Sequence, residues 1–238
     1  MERLQKIIAR SGFCSRRAAE DLLRSGRVCL NGQSAILGQS ADPESDTIEI
    51  DGRPIATPPP PVYLMLNKPR GYVTTLSDER GRQTAAQLVE NCGVRVFPIG
   101  RLDRDSEGLL LFTNDGALTQ RLIHPSAEVN KTYLIRVQGH TDGAAERLAS
   151  VRELDGEVIR PAQVRFLDSD GKTALLELTI HEGKNRQIRR MCRQCGLTVL
   201  RLQRVAEHTV ALGDLKPGEW RYLTSAEITA LKGDSIDE

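Results

Sequence analysis

The chain has 238 residues, a formal net charge of +1 and 27% charged residues, which is typical of a globular protein with one or two domains. No apolar run approaches the roughly 20 residues of a membrane span. The first ten residues, MERLQKIIAR, mix charges with apolar positions, unlike a signal peptide. The five cysteines are odd in number and unevenly placed, so we expect no disulfide framework and a reducing, cytoplasmic environment.

The near-neutral total conceals two basic segments. Residues 1–34 contain seven Lys or Arg and three Asp or Glu, a net of +4, and residues 182–204 contain seven and one, a net of +6. A single basic segment is usually a solvated helix face. Two of them on a near-neutral chain favour a defined surface for a polyanion such as nucleic acid.

The N-terminal part predicts a small α/β unit. Apolar residues with helical spacing predict a helix before Gly12, and Ser15 is a good N-cap for a second helix that Gly26 ends. The pair Asn31–Gly32 predicts a β-hairpin, and DTIEIDG predicts an alternating strand that ends at Asp51–Gly52.

The segment RPIATPPPPV contains four consecutive prolines, which cannot join a helix or an inner strand. As polyproline II they would span roughly 12 Å, a semi-rigid spacer. We therefore place a domain boundary here and predict domains at 1–61 and 62–238. A Pro-rich recognition motif is the alternative interpretation.

The second part predicts many strands with interspersed helices and no strict βαβ alternation. The fold class is therefore α+β, with a mixed, largely antiparallel sheet and flanking helices. Predicted strands are VYLMLNKP, VFPIG, GLLLFTN, TYLIRVQG, VIRPAQVRFL, TALLELTIHEG and LTVLRLQRV. Predicted helices are TAAQLVENCG, ALTQRLIH, DGAAERLAS, NRQIRRMCRQCG and a last one with a capping box in TSAEITALKG.

Three acids precede the strand GLLLFTN, and they admit three interpretations. DRDSEG from Asp103 matches the opening of an EF-hand loop, but Asn114 stands where the loop needs a bidentate Glu, which excludes calcium. A glycosidase pair of Asp103 and Asp105 is the second interpretation. Only 4% of the residues are aromatic, and such residues commonly stack on sugars, so this interpretation is weak. In the third, one acid reacts and the others cap the turn, although capping is the usual role of any Asp there.

A resemblance to a known family favours the third interpretation. IGRLDRDSEGLLLFTNDG resembles the signature of the RsuA/RluB/RluE/RluF-type rRNA pseudouridine synthases. LNKPRGYVTT, KTYLIRV, EGKNRQIRRMC and LKPGEWRYLT resemble that family's other blocks, in the same order. RLQKIIARSGFCSRRAAEDLLRSGRVCLNG resembles the ribosomal-protein S-four type RNA-binding domain. The resemblance covers nearly the whole chain and implies isomerisation of uridine to pseudouridine in ribosomal RNA.

The resemblance implies three catalytic residues. The family's essential Asp matches Asp103, the nucleophile, which must stay ionised in a pocket that excludes water, so a close cation is needed. That cation matches Arg189, and the family's Tyr matches Tyr133, which would pack against the uracil and could move a proton. From the residues alone, Arg189 could equally contact phosphate and Tyr133 could be an ordinary strand aromatic. Whether Asp103 attacks ribose or base stays open.

The resemblance also implies RNA contacts. The target base must leave its stack, and Arg101 would fill the gap with its flat guanidinium. Contacts to the RNA backbone are predicted for Lys68, Arg70, Arg186 and Arg190. In the first domain, where a helix N-terminus and cations suit phosphate, the predicted contacts are Ser15, Arg16, Arg17, Arg24, Arg27 and Asn31.

Some positions depart from the family pattern or call for another chemistry. Ser106 replaces a common Thr and keeps a hydroxyl, and Glu107 replaces a small residue. KNRQIRRM leans towards members that act on 23S rRNA. Cys192 and Cys195 form a C-x-x-C, for which helix-end packing is a better interpretation than zinc or redox chemistry.

We expect no metal and no organic cofactor, because the isomerisation is redox-neutral. The expected partner is ribosomal RNA or a pre-ribosomal particle, without a membrane, and the expected state is a monomer. A non-catalytic rRNA-binding assembly protein is the competing function. The joint presence of Asp103, Tyr133 and Arg189 speaks against it, because a pure binder has no use for all three.

Overall fold

The computed structural model describes residues 1–124 and 128–233. Contacts divide the chain into two units. One comprises Met1–Pro61, Gly93–Arg95 and Asn114–Gly116, and the other comprises Val62–Cys92, Val96–Thr113 and Ala117–Glu238. Across the described ranges, every helix is too short or too polar to cross a bilayer.

The N-terminal unit contains two helices and six short strands among its described residues. Their bounds are β1 Glu2–Arg3, α1 Leu4–Arg10, α2 Arg16–Arg24, β2 Val28–Leu30, β3 Gln33–Ser34, β4 Ser40–Ala41, β5 Ile48–Ile50 and β6 Arg53–Pro54. One sheet has the order β3-β2-β5-β6, and β1 pairs with β4. Apolar residues of both helices and of β2 and β5 form one buried core, which includes Leu4, Ile8, Leu23, Val28 and Ile50.

The local signals of this unit produce the predicted structures. The Ser15 hydroxyl accepts a hydrogen bond from the backbone N–H of Ala18 (3.1 Å), which caps α2 as expected. Asn31 has φ 52° and Gly32 has φ 78°, so the pair forms the predicted turn between β2 and β3. Both signals act within three residues, which is why the sequence was sufficient to predict them.

The second unit contains the large sheet and the remaining helices. The bounds are β7 Tyr63–Lys68, a 3-10 helix Ala85–Cys92, β8 Phe97–Ile99, β9 Glu107–Thr113, α3 Gly116–Ile123, β10 Lys131–Gly139, α4 Ala144–Ser150, β11 Glu153–Leu154, β12 Glu157–Val158, β13 Gln163–Ser169, β14 Thr173–Ile180, α5 Gln187–Gln194, β15 Leu197–Glu207, β16 Val210–Ala211, β17 Trp220–Tyr222 and α6 Ser225–Lys232.

The sheet is mixed and largely antiparallel, so the predicted α+β class is confirmed. In the described chain its order is β13-β14-β10-β15-β9-β7-β17, with β16 added to β15 and β8 added to β9. Only β15 and β9 pair in parallel there. Apolar residues of β7, β9, α3 and α6 form a buried core, and the predicted capping box at Thr224 and Glu227 begins α6.

Two predicted elements differ from the structure. VIRPAQVRFL is not one strand, because it is divided into β12 and β13 around Pro161, whose ring removes a ladder donor. TAAQLVENCG forms a 3-10 helix over Ala85–Cys92 and not an α-helix.

Two irregularities in the sheet determine what lies near the chemistry. Gly108 (φ 102°) pairs in parallel with Arg204, and a Cβ at Gly108 would lie 2.2 Å from the Arg204 carbonyl oxygen, so only glycine fits. Between β10 and β15 the register shifts, so that Lys131 pairs with Glu207 while Tyr133 pairs with Arg204. This β-bulge places Arg204 and Glu207, three residues apart, on the same face of the sheet.

Candidate active site

A cavity of about 320 Å³ opens in the second unit, near the lower end of the range of about 300–1,000 Å³ for ligand pockets. It collects residues from the turn between β8 and β9, from β10 and β15, and from the start of α5. Its lining residues are Gly100, Arg101, Leu102, Asp103, Ser106, Leu122, Ile123, Lys131, Tyr133, Ile180, Gly183, Lys184, Asn185, Arg186, Gln187, Ile188, Arg189, Leu202, Arg204 and Glu207.

The turn that carries Asp103 is held from behind by the loop that follows β7. The hydroxyl of Thr74 donates to the carbonyl of Leu102 (2.8 Å) and accepts from its N–H (3.2 Å). The backbone N–H of Gly71 donates to the carbonyl of Arg104 (2.8 Å), and the guanidinium of Arg104 donates back to the carbonyl of Gly71 (3.2 Å). The block LNKPRGYVTT therefore supports the backbone on both sides of Asp103.

Lys68 also supports this turn, and the structure differs from the prediction made for this residue. Its side chain is 0% exposed, and its ammonium donates to the carbonyls of Ser106 (2.7 Å) and Pro69 (3.0 Å). The sequence predicted a contact between Lys68 and the RNA backbone. A fully buried amine cannot make that contact. Burial lowers the pKa of Lys68 to about 8, against the opposing charges of Asp103, Asp105 and Glu107.

At the rim of the cavity, the lining residues Asp103, Arg186 and Arg189 contact Asp105, and we name these four residues the mouth cluster. Arg186 binds Asp105 with two nitrogens (3.0 and 2.9 Å) and reaches Asp103 at 3.3 Å. Arg189 donates to the backbone carbonyl of Asp105 (2.9 Å) and lies 3.3 Å from its carboxylate. The hydrogen bonds from Arg186, with the charge of Arg189, lower the pKa of Asp105.

The mouth cluster differs in one respect from the arrangement that the resemblance implied. The ion pair of Asp103 is with Arg186, while Arg189 pairs with Asp105. Arg186 is the N-cap of α5 and has a left-handed conformation (φ 49°). Arg189 lies one turn further along α5, and its buried Nε has no hydrogen-bond partner within the described residues.

The inner end of the cavity carries a second group, the floor cluster, which consists of Lys131, Tyr133, Arg204 and Glu207. Arg204 is 1% exposed and Glu207 is 4% exposed, and they form an ion pair at 3.1 Å. Arg204 also donates from Nε to the carbonyl of Leu109 (2.7 Å), and Tyr133 is its direct cross-strand neighbour on β10. Burial raises the pKa of Tyr133, and it lowers the pKa of Lys131.

Among the other RNA contacts predicted in this unit, two side chains are exposed and one is paired within the protein. Arg101 is exposed and lines the cavity. Arg70 is exposed as well. Arg190 does not line the cavity, since it pairs with Asp155 (2.8 Å) and donates to the carbonyl of Leu154 (3.2 Å).

The predicted contacts of the N-terminal unit fall into two groups. Arg16 and Arg17 are exposed at the start of α2, beside the capping Ser15. The other three side chains have partners within the unit. Arg24 pairs with Glu20 and Asp21, Arg27 pairs with Asp51, and Asn31 bonds Asp46 and the N–H of Thr47.

Sequence reasoning missed Arg204, Glu207 and Gly108. The signal for Gly108 was available, because a glycine directly before a strand's apolar run often marks a close backbone approach. The C-x-x-C cysteines lie at the end of α5, where Cys192 is buried and burial raises its pKa to about 12.

Comparison with known proteins assigns the family. A family model described as RNA pseudouridylate synthase matches residues 62–194, and a model of the S4 domain matches residues 2–36. A solved structure titled "Crystal structure of pseudouridylate synthase" is 31% identical, with a TM-score of 0.68, and the match covers 97% of this chain and 100% of that one. The chain belongs to the RNA pseudouridylate synthase family, and it is a pseudouridine synthase with an N-terminal S4 domain.

Full-length relatives narrow the assignment. The ribosomal large subunit pseudouridine synthase B of Bacillus subtilis is 40% identical over 98% of this chain and 96% of its own length. An uncharacterized RNA pseudouridine synthase of Aquifex aeolicus is 40% identical over 96% of this chain and 93% of its own. The synthase B of Vibrio cholerae is 36% identical over 97% and 74%. The resemblance to the RsuA/RluB type is thereby confirmed.

Proposed function

We propose that this enzyme isomerises a uridine of ribosomal RNA, in the 23S rRNA of the large subunit, to pseudouridine. The observation that best supports this proposal is the cavity. It has the carboxylate of Asp103 at its rim and the buried phenol of Tyr133 at its floor. The relatives from Bacillus subtilis and Vibrio cholerae are named ribosomal large subunit pseudouridine synthases, which supports a large-subunit substrate. Membership of a synthase family does not favour the competing, non-catalytic assembly protein.

In the proposed reaction Asp103 is the nucleophile. Its side chain is 35% exposed, accessible to substrate and still held by the charge of Arg186. Attack at C1′ of the ribose displaces uracil through N1 and forms an ester with Asp103; attack at C6 of the base instead forms an adduct in which the N1–C1′ bond then breaks. The uracil rotates, C5 bonds to C1′, and the bond to the Asp103 carboxylate breaks. C5 loses its proton to water and N1 gains one, so the product is an isomer of the substrate. The sum is an isomerisation that needs neither an oxidant nor an energy source.

The target uridine reaches Asp103 after leaving its base stack, at a cost of a few kcal/mol. Arg101, exposed on the cavity lining, would occupy the gap in the RNA. Arg70 and Arg186 would contact phosphates nearby. The S4 domain, which we assign with its linker to residues 1–61, would add affinity through Arg16 and Arg17, and the synthase domain would occupy residues 62–238.

The test is release of tritium from 23S rRNA transcript labelled at C5 of uridine. We expect wild type to release tritium and Asp103→Asn to lose at least about a thousandfold in rate, because the amide is no nucleophile. RNA binding by Asp103→Asn, measured by filter retention, should stay within about threefold of wild type. Immature large-subunit particles are the second substrate, which distinguishes naked RNA from an assembly intermediate. Failure of wild type on both substrates would contradict the proposal.

A further inference from the structure

The floor cluster contains a buried ion pair for which the reaction outlined above has no use. Arg204 and Glu207 are both nearly inaccessible to solvent, and removing two charges from water costs several kcal/mol for each ion. Apolar residues of similar volume would fill this space without that cost. An expensive pair inside a catalytic cavity therefore calls for a function.

The sheet is built irregularly to form this pair. On a regular strand, residues three apart point to opposite faces. The β-bulge opposite Thr132 and Tyr133 removes that conflict and turns both Arg204 and Glu207 towards the cavity. The same register places Tyr133 directly across from Arg204, where a cross-strand side-chain contact is expected.

Within the described chain, the side chain of Arg204 has one hydrogen-bond partner, one ion-pair partner and one cross-strand neighbour in this cavity. Its Nε donates to the carbonyl of Leu109, which fixes the guanidinium plane on β9, the strand that follows the Asp103 turn. Its Nη2 forms the ion pair with Glu207 (3.1 Å) but has no hydrogen-bond partner among the described residues. Tyr133 is the direct cross-strand neighbour of Arg204, and both residues line the cavity. The planar guanidinium suits such a junction, because its donors diverge at fixed angles.

We propose that Arg204 is a positioning residue for the isomerisation: its guanidinium fixes the Tyr133 hydroxyl in the cavity, and Glu207 neutralises the guanidinium. The inference rests on the proposed function, since Tyr133 matters only if uracil enters this cavity. Without Arg204 the phenol would lose its anchor and rotate among several orientations, and the fraction of productive complexes would fall.

Glu207 has a separate and opposite effect. The charged groups that act on the Tyr133 phenol are Arg204 and Glu207 from β15 and Asp103 from the turn, and Lys131 lies next to Glu207 on β10. Arg204 favours the phenolate and Glu207 disfavours it. Removing Glu207 should therefore lower the pKa of Tyr133, whereas removing Arg204 should raise it.

The experiment uses the full chain labelled with ¹³C at tyrosine Cζ, with the Tyr133 resonance assigned from Tyr133→Phe. We expect Glu207→Gln to lower the pH at which the Tyr133 resonance titrates, by comparison with wild type. We expect Arg204→Met to raise it and Arg201→Met to leave it in place. Arg201 is the matched control, because it is an exposed arginine on the same strand outside the cavity lining.

Kinetics on 23S rRNA provide the second measurement. We expect Arg204→Met to lower kcat at least about tenfold with KM within about twofold of wild type, and Arg204→Lys to restore part of the loss. If Arg204→Met does not fold, Arg204→Lys and Glu207→Gln carry the test. An unchanged Tyr133 titration in Glu207→Gln, or a wild-type kcat in Arg204→Met, would overturn the inference. Absence of wild-type activity would instead count against the proposed function, because the resonance is measured without RNA.

Discussion

The mouth and floor clusters each contain an arginine paired with a carboxylate, but one pair is exposed to water and the other is buried. At the mouth, Arg186 and Asp105 are 44% and 40% exposed, and water screens their attraction. At the floor, Arg204 and Glu207 are almost wholly withdrawn from water, so each charge depends on the other. Exposure therefore determines whether an ion pair in this enzyme can adapt to a substrate or is fixed before the substrate arrives.

The largest effect on stability should come from breaking the floor pair. Glu207→Leu leaves the charge of Arg204 buried without a counter-ion, which should lower the free energy of unfolding by about 3–5 kcal/mol. Urea denaturation measures the loss. The double variant Arg204→Met, Glu207→Leu removes both charges and should regain most of it. A double variant as unstable as Glu207→Leu would mean that packing, and not charge, stabilises the floor.

Lys68 supports the turn that carries Asp103 through its bond to the carbonyl of Ser106, and its removal should affect catalysis strongly. Lys68→Met releases the carbonyl of Ser106 and loosens the turn, so kcat should fall about 10- to 100-fold while KM changes little. Single-turnover tritium release measures the chemical step directly. A wild-type rate in this variant would show that the ties from Thr74 and Gly71 are sufficient.

The charge of Lys68 also predicts a pH dependence of stability. Its pKa is about 8 in the folded chain and 10.5 is its ordinary value, so between these values the folded state binds fewer protons than the unfolded state. The contribution of Lys68 to the free energy of unfolding therefore rises with pH between about 8 and 10.5. The difference in unfolding free energy between wild type and Lys68→Met should move in favour of wild type from pH 8 to 10.5. A constant difference would contradict the assigned burial.

A smaller effect is expected at the mouth. Asp105→Asn keeps the backbone carbonyl that binds Arg189 and one side-chain oxygen for Arg186, so activity should stay within about tenfold of wild type and stability within about 1 kcal/mol. The matched variant is Asp103→Asn, which differs by two positions in the same turn. Equal loss of activity in both variants would favour a two-carboxylate mechanism over a single nucleophile.

The smallest effects should appear in the S4 domain, where exposed cations differ in their partners. Arg16→Ala and Arg17→Ala should each reduce the slope of log affinity against log salt by about 0.9 and weaken RNA binding a few-fold. Arg24→Ala, on the same helix, removes a cation already paired with Glu20 and Asp21, and the slope should change less. Equal changes in all three variants would mean that RNA displaces the internal pairs.

The sequence predicted those parts of the molecule whose causes are local. The caps at Ser15 and Thr224 and the turn at Asn31 depend on contacts within a few residues, and the α+β class follows from strand and helix periodicity. The Arg204–Glu207 pair of the floor cluster could not be predicted, because the β-bulge between β10 and β15 joins segments that are distant in the chain. The burial of Lys68 could not be predicted for the same reason, because it depends on the carbonyl of Ser106, which lies far from Lys68 in the chain.

The roles of Asp103, Tyr133 and Arg189 came from the resemblance and not from the residues themselves. In chain order these residues carry no mark that separates them from a capping acid, a strand aromatic or a phosphate contact. Folding brings all three to one cavity, but the pairing within it is shared among Arg186, Arg189 and two acids. Sequence blocks can thus identify which residues share a cavity, but they do not determine which of these residues form ion pairs with one another.

Gly108 has a consequence for how this enzyme could vary or be engineered. The strand after the acidic turn touches the backbone of Arg204 with no space for a methyl group. Any other residue there would push β9 away from β15, and the turn that carries Asp103 would separate from the floor cluster. A saturation library at this position should therefore return a single surviving amino acid, whereas neighbouring Glu107 should accept several. The backbone of β15, and not a side chain, thus limits which residues this position tolerates.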